Sequence, residues 1–266
     1  MSDMKNIPSL TLCSLGCIFA ALLGFGCSGK TKENALSPAR VETAPSYFKI
    51  DPETASVVTG TIRFAGSRPP RKLIDMSEDP SCVKAHGAKA YDESLMVGSK
   101  GGVGNAFVYI KAGLEGKNFE VPQAPVVLDQ SGCWFHPRVL GIQTGQILRV
   151  INSDPVTHNI HPMAQINREW NHSQGPGDAP LARKFLKQEV MIKVKCNIHN
   201  WMHTFIGVVD HPYFAVSQAD GSFQIKDLPP GTYTLAVWHE ALGTDEQQIT
   251  VGQHGTAAAH FTFKGR

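Results

Sequence analysis

The chain has 266 residues, a length that predicts one large domain or two small ones. Hydrophobic residues make up 42% and charged residues 18%, which is the balance of a globular protein and not of a disordered one. The 25 Lys and Arg residues against 23 Asp and Glu residues leave a net charge of +2. Nothing therefore supports a nucleic-acid-binding function, which usually needs a strong basic excess. The 25 glycines and 17 prolines favour a turn-rich β protein, and six cysteines are too few for a disulfide scaffold of this size.

The N-terminal segment has the features of an export signal. Lys5 precedes an apolar run over residues 10–26, which has the length of a signal-peptide core and is short for a membrane span. The run ends in a small residue followed by Cys27, and this pattern resembles the cleavage site of bacterial lipoproteins. The resemblance implies that residues 1–27 form a signal peptide, that Cys27 is lipidated, and that the lipid anchors the protein on the periplasmic or cell-surface side of a bacterial membrane. An ordinary signal peptide and an uncleaved anchor are the alternatives.

Export changes what is expected of the remaining cysteines. Cys82, Cys133 and Cys196 stay in the mature chain, and an odd number of cysteines in an oxidising compartment needs an explanation. A disulfide between Cys82 and Cys133 would leave Cys196 for another role. Two buried free thiols at Cys82 and Cys133 are the alternative.

Residues 28–54 lack apolar periodicity and are predicted to be a flexible tether, whereas the chain after them is rich in short β-branched runs. Turn residues separate these runs, a pattern typical of β-sandwiches. The predicted strands are 57–65, 106–111, 125–129, 147–152, 190–195, 205–210, 222–226, 232–238, 247–251 and 258–263. The polar segment 163–187, which Gly and Pro interrupt, is predicted to be a long loop. No long stretch has helical periodicity, so the predicted fold class is all-β.

Two segments carry the residues with metal-binding chemistry. The first covers residues 135–161 and contains FHPRV, GQILRVINSD and THNIH; the second covers residues 194–203 and reads VKCNIHNWMH. A tight loop between two strands can present the Cys, His and Met of the second segment to one point, and a His at a neighbouring strand end can complete the set. One thiolate, two imidazoles and a weak thioether are the ligands of a type 1 copper site.

Together the two segments resemble the ligand motifs of the cupredoxins, the small blue-copper proteins, and in particular those of the amicyanin-like branch. The resemblance covers residues 104–211 and implies a Greek-key β-sandwich that holds one type 1 copper ion. The implied ligands are His158, Cys196, His199 and Met202. It also implies that His199 is partly exposed and serves as the port through which redox partners exchange electrons.

Neighbouring residues refine this resemblance. Asn159 matches the cupredoxin residue whose amide ties the two ligand loops together. His203 follows Met202 directly and is the alternative axial ligand. With Cys196 assigned to the metal, Cys82 and Cys133 are the one pair available for a disulfide.

The C-terminal third contains a D-G turn and a P-P-G connection between strands and resembles the carboxypeptidase regulatory-like β-sandwich, which is related to transthyretin (prealbumin). The opening strand of that family is matched near residue 57, far upstream. The predicted organisation is therefore an N-terminal β segment over 55–103, a cupredoxin domain over 104–211 and an adjoining prealbumin-like β-sandwich over 212–266. Either the cupredoxin domain interrupts the regulatory-like sandwich or both share one β core.

The sequence predicts an exported type 1 copper protein that transfers single electrons between periplasmic redox proteins. An enzyme is not expected, because no nucleophile–base motif and no second copper centre are recognisable. A copper-binding or copper-delivery protein without redox turnover is the main alternative. A structural β-sandwich that recognises a partner is a further one.

Overall fold

The computed structural model describes residues 46–265. The predicted signal peptide 1–27, the lipidation of Cys27 and residues 28–45 of the predicted tether lie outside the described residues and stay predictions. Within residues 46–265, no helix is long and apolar enough to cross a membrane.

Over its described length the chain folds almost entirely into strands, which confirms the predicted all-β class. The elements are, in chain order, β1 (Ser56–Ala65), α1 (Pro80–His86), β2 (Phe107–Ala112), β3 (Val126–Gln130), β4 (Phe135–His136), β5 (Val139–Gln143), β6 (Leu148–Asn152), β7 (His158–Pro162), β8 (His172–Gln174), β9 (Leu181–Arg183), β10 (Glu189–Lys195), β11 (His203–Val209), β12 (Phe214–Val216), β13 (Ser222–Leu228), β14 (Gly231–His239), β15 (Gly243–Val251) and β16 (Thr256–Lys264).

Two sheets built from the ends of the described chain form one sandwich, here called the terminal sandwich. Its sheets have the strand orders β13-β1-β16 and β12-β2-β14-β15, and the buried faces of both contribute to one hydrophobic cluster. In β1 the inward-facing Val58 and Ile62 are fully buried, as the two-residue period of a strand predicts. Gly60 lies between them on the same face, where a Cβ atom would come within 1.8 Å of the carbonyl oxygen of Ala259. Glycine at this position lets β1 pair closely with β16.

The other two sheets form the central sandwich, which carries the predicted ligands. Their strand orders are β5-β11-β10-β7-β8 and β4-β3-β6-β9, and a second hydrophobic cluster lies between them. Strand β11 is buried almost throughout because both of its faces are covered. Ile206 and Val208 face the core of the central sandwich, whereas Phe205 and Val209 belong to a third cluster.

The third cluster joins the two sandwiches. Phe205 and Val209 of β11 pack with Phe107 of β2, and the ring centroids of Phe205 and Trp238 lie 4.8 Å apart. The predicted boundary at residue 104 would place β2 with the central strands, whereas its hydrogen bonds join it to β12 and β14. In sequence, the strands of the central sandwich lie between β2 and β12 of the terminal sandwich. The apolar residues of the third cluster connect the two sandwiches in space.

Candidate metal centre

The connection between β10 and β11 is a tight turn that brings three predicted ligands together. The backbone N–H of Cys196 donates to the carbonyl of Met202 at 3.0 Å, and the N–H of Met202 donates to the carbonyl of His199 at 3.0 Å. The backbone N–H groups of Ile198 and His199 each lie 3.4 Å from the Sγ atom of Cys196. N–H donors of this kind stabilise a thiolate, which is the form of cysteine that binds metals.

His158, the first residue of β7, faces this turn. Its Nδ1 atom lies 3.1 Å from Nδ1 of His199, which is 3.9 Å from Sγ of Cys196. One donor atom from each of the three residues lies within 4.8 Å of the other two, and all three side chains are buried. Two facing nitrogen lone pairs at this distance repel each other unless a proton or a cation lies between them. The donors therefore fit a soft metal ion that accepts one thiolate and two imidazoles.

Two further groups of donors overlap with this one, and both depend on cysteines that are not free. Cys82 and Cys133 are joined by a disulfide, and the groups that contain them are completed by Asp79 with His199 and by Asp154 with His158. A disulfide sulfur is not a thiolate and is a poor ligand. Among the described residues, Cys196 is the free cysteine, and it is buried.

The two residues considered for the axial position have different surroundings. Met202 is fully buried in the hydrophobic cluster that also contains Cys196. The Nε2 atom of His203 lies 2.5 Å from Nη2 of Arg138 and 3.3 Å from Oε2 of Glu240, while its Nδ1 atom lies 3.1 Å from the carbonyl oxygen of Trp201. Both ring nitrogens of His203 are therefore already engaged by protein groups.

Asn159 connects the two ligand-bearing segments. Its Oδ1 atom accepts a hydrogen bond from the backbone N–H of Asn197 at 3.2 Å, and its own backbone N–H lies 3.4 Å from Sγ of Cys196. The side-chain amide also donates to Oδ1 of Asn171. These bonds hold β7 against the turn after β10, which is the role that the cupredoxin resemblance implies for Asn159.

The Nε2 atoms of His158 and His199 each contact a carboxylate. Nε2 of His158 lies 2.7 Å from Oδ2 of Asp154, and Nε2 of His199 lies 3.0 Å from Oδ2 of Asp79. Burial lowers the pKa of His158, although its contact with Asp154 acts in the opposite direction. The hydrogen bond with His199 lowers the pKa of Asp79 below its ordinary value. A neutral imidazole, which is the form that binds a metal, is thus favoured at His158.

The sequence did not point to either carboxylate, although each has a local signal in hindsight. Asp154 closes the N-S-D run that precedes His158, and Asp79 stands before Pro80 as the N-cap of α1.

The structure corrects the expectation that His199 is partly exposed. Its relative exposure is 3%, because the start of α1 lies over its ring. Sγ of Cys82 is 3.5 Å from Nε2 of His199. On the other side, the ring centroid of Trp201 is 5.2 Å from that of His199, and Nε1 of Trp201 donates to the carbonyl of Cys133. The port expected at His199 is therefore covered.

Comparisons with solved structures return copper proteins over about a third of the chain. A copper-containing nitrite reductase from Thermus scotoductus SA-01 is 22% identical with a TM-score of 0.31, over 38% of this chain and 25% of that enzyme. A variant of amicyanin in its Cu(I) form is 19% identical with a TM-score of 0.28, over 34% of this chain and 86% of amicyanin. A purple cupredoxin from Nitrosopumilus maritimus is 21% identical with a TM-score of 0.27, over 32% of this chain and 99% of that protein.

Sequence comparisons give a different match. A family model described as polysaccharide lyase family 4, domain II, matches residues 204–259, a region that runs from β11 into β16. The match covers less than half of the chain, and the carboxypeptidase regulatory-like resemblance stays a prediction. A search among curated proteins returns no significant match.

Proposed function

We propose that the protein binds one copper ion at His158, Cys196 and His199 and carries single electrons. The observation that carries this proposal is the buried free thiol of Cys196, which lies with one nitrogen of each imidazole inside a 4.8 Å cluster. Thiolate favours Cu(I), and imidazole suits both Cu(I) and Cu(II). When bound, the copper ion supplies a one-electron couple.

The donor set suits copper better than zinc. Structural zinc sites are usually tetrahedral, with four Cys or His ligands, whereas three such donors converge here among residues 46–265. Met202 would supply a weak thioether donor, because its side chain is buried in the hydrophobic cluster that contains Cys196, while His203 is engaged by Arg138 and Glu240. A weak fourth contact of this kind is characteristic of type 1 copper.

The residues around the donors would keep the geometry nearly constant in both oxidation states. Asn159 holds the two ligand segments together, and the turn that carries Cys196 and His199 is closed by backbone hydrogen bonds. Because these side chains are buried and bonded, neither ligand can move far when the charge of the metal changes. An electron carrier benefits from such rigidity, whereas copper delivery needs donors that a partner can reach.

The wider proposals concern location and partners. The disulfide between Cys82 and Cys133 suits an oxidising compartment, in agreement with the proposed export and with a lipid anchor at Cys27. The partners would be periplasmic redox proteins that donate and accept electrons, and no catalytic role is proposed. The regulatory-like strands of the terminal sandwich would brace the central sandwich through the cluster around Phe107 and Phe205.

Voltammetry of the copper-loaded protein separates an electron carrier from a delivery protein. We expect a reversible one-electron wave, with no copper lost over repeated cycles in the presence of a competing chelator. Loss of copper to the chelator on each cycle would favour delivery. A protein that is folded and yet binds no copper would leave the structural recognition module as the better account.

A further inference from the structure

We infer that Asp79 and Asp154 are positioning residues for the two metal-binding histidines, and that the Cys82–Cys133 disulfide holds both carboxylates in place. This inference rests on the proposed copper site. It concerns residues that contact the proposed ligands without binding the metal themselves, and it gives the disulfide a role in addition to stabilising the fold.

On the side of His158, one carboxylate serves the ligand and the disulfide together. Oδ2 of Asp154 lies 2.7 Å from Nε2 of His158 and accepts the backbone N–H of Cys133 at 2.7 Å. Its Oδ1 atom accepts the backbone N–H of Gly132 at 2.6 Å. Asp154 is only 6% exposed, so its orientation is set by these contacts.

On the side of His199, a second carboxylate makes an equivalent set of contacts. Oδ2 of Asp79 lies 3.0 Å from Nε2 of His199. Oδ1 of Asp79 accepts the backbone N–H groups of Ser81 and Cys82 at 3.0 Å and 3.1 Å. The carboxylate thus caps α1 with one oxygen and holds the imidazole with the other.

The disulfide connects the two sets of carboxylate contacts. The backbone N–H of each bonded cysteine donates to one of the two carboxylates, and the Cα atoms of Cys82 and Cys133 are 5.4 Å apart. A single covalent bond therefore joins the two cysteines whose backbone N–H groups bind the carboxylates that contact the two histidines. Helix α1 has seven residues, and Cys82 is its one buried residue. So short a helix is marginal by itself, and the disulfide attaches it covalently to the segment before β4, next to a contact of 3.0 Å between Nδ1 of His86 and the carbonyl oxygen of Gly132.

The contacts have a direct chemical consequence for the ligands. A carboxylate that accepts a hydrogen bond from Nε2–H fixes the imidazole tautomer in which Nδ1 carries the lone pair. The Nδ1 atoms of His158 and His199 are the ones that face each other and Cys196. The same carboxylates fix the ring orientation, and the start of α1 keeps water from His199.

The tautomer is measurable in the metal-free protein by ¹⁵N NMR of the histidine rings at alkaline pH. We expect the Nε2–H tautomer at both His158 and His199 in the wild type, because the charge-assisted hydrogen bond from each Nε2–H to its carboxylate outweighs the repulsion between the two Nδ1 lone pairs. Asp79→Ala should produce a mixture of tautomers at His199 while leaving His158 unchanged. Removing the disulfide with Cys82→Ala/Cys133→Ala should produce a mixture of tautomers at both histidines, with the larger change at His199.

Copper affinity gives the second readout. Loss of a carboxylate behind a metal-binding histidine typically weakens metal binding about 10- to 100-fold, and we expect this range for Asp79→Ala. Asp75→Ala is the matched control, because Asp75 lies in the same segment and its Oδ1 accepts only a local backbone N–H, from Ser77, at an exposed position. The control should bind copper as the wild type does.

Unchanged tautomers in Asp79→Ala, or an affinity equal to that of Asp75→Ala, would overturn the role of Asp79. Wild-type tautomers at both histidines in the variant without the disulfide would overturn the role of the Cys82–Cys133 bond. If that variant does not fold, Asp79→Ala and Asp154→Ala still test the carboxylates with the disulfide present. If the wild type binds no copper, the proposed function fails, whereas the tautomer measurement still decides the positioning.

Discussion

Cys196→Ser is expected to abolish the intense visible absorption of the copper-loaded protein while leaving the fold intact. The thiolate is the donor that can give a strong ligand-to-metal charge-transfer band, and Cys196 is the free cysteine of the described chain. The serine oxygen is smaller and can accept the same backbone N–H groups that surround Sγ. Absorption spectra recorded with circular dichroism of the same samples check both halves of the prediction.

A variant of Cys196 with undiminished absorption would end the assignment of this residue as a ligand. Cys82→Ala/Cys133→Ala is a useful comparison, because it removes sulfur atoms near the site that the proposal does not use as ligands. It should keep an intense band even where its copper affinity is lower.

The second large effect is expected at an ion pair between the two sandwiches. Nε and Nη2 of Arg138, which precedes β5, lie 2.9 Å and 3.0 Å from the carboxylate oxygens of Glu240, which follows β14. The two side chains are 4% and 9% exposed. Glu240→Ala leaves the guanidinium buried without its partner, so we expect a loss of about 3–5 kcal/mol in the free energy of unfolding, measured with urea.

A matched pair of controls isolates the effect of burial. Glu246→Ala removes the partner of Lys111 at a half-exposed position, where little change is expected. Arg138→Met/Glu240→Met should recover much of the loss, because it removes both buried charges together. Equal stabilities of Glu240→Ala and Glu246→Ala would contradict the account of this contact.

The same pair predicts a dependence of stability on pH. Burial raises the pKa of Glu240, but hydrogen bonds with His203 and Arg138 outweigh it and leave the pKa below the ordinary value of 4.5. A depressed carboxyl pKa contributes stability that is present above the unfolded value and is lost as the pH falls through the folded one. This part of the acid sensitivity, below about pH 4.5, should be absent in Arg138→Met/Glu240→Met.

The strands were largely predictable, because a short β-branched run between turn residues is a local signal. All ten predicted runs lie in observed strands, with boundaries that differ by a few residues. Strand β5 was missed; it has five residues and pairs with β11. The predicted loop over 163–187 contains β8 and β9, two three-residue strands that exist through pairing with β7 and β6.

Helix α1 and the covering of His199 were not predictable for a different reason. The helix is too short for a periodic pattern, and its signal is limited to Asp79 and Pro80 at the start. The turn after β10 sets the spacing of Cys196 and His199 locally, so that part of the site could be read from the sequence. Asp79 lies 120 residues before His199, and their contact depends on the tertiary fold and the disulfide.

Titration of the purified wild-type protein with Cu(II), followed by its visible spectrum, tests the central claim most directly. The arrangement of Cys196 with His158 and His199 predicts an intense thiolate charge-transfer band that grows to one copper ion per chain and then stays constant. A titration that produces only weak absorption, or none, would contradict the assignment of these three residues as a type 1 copper site.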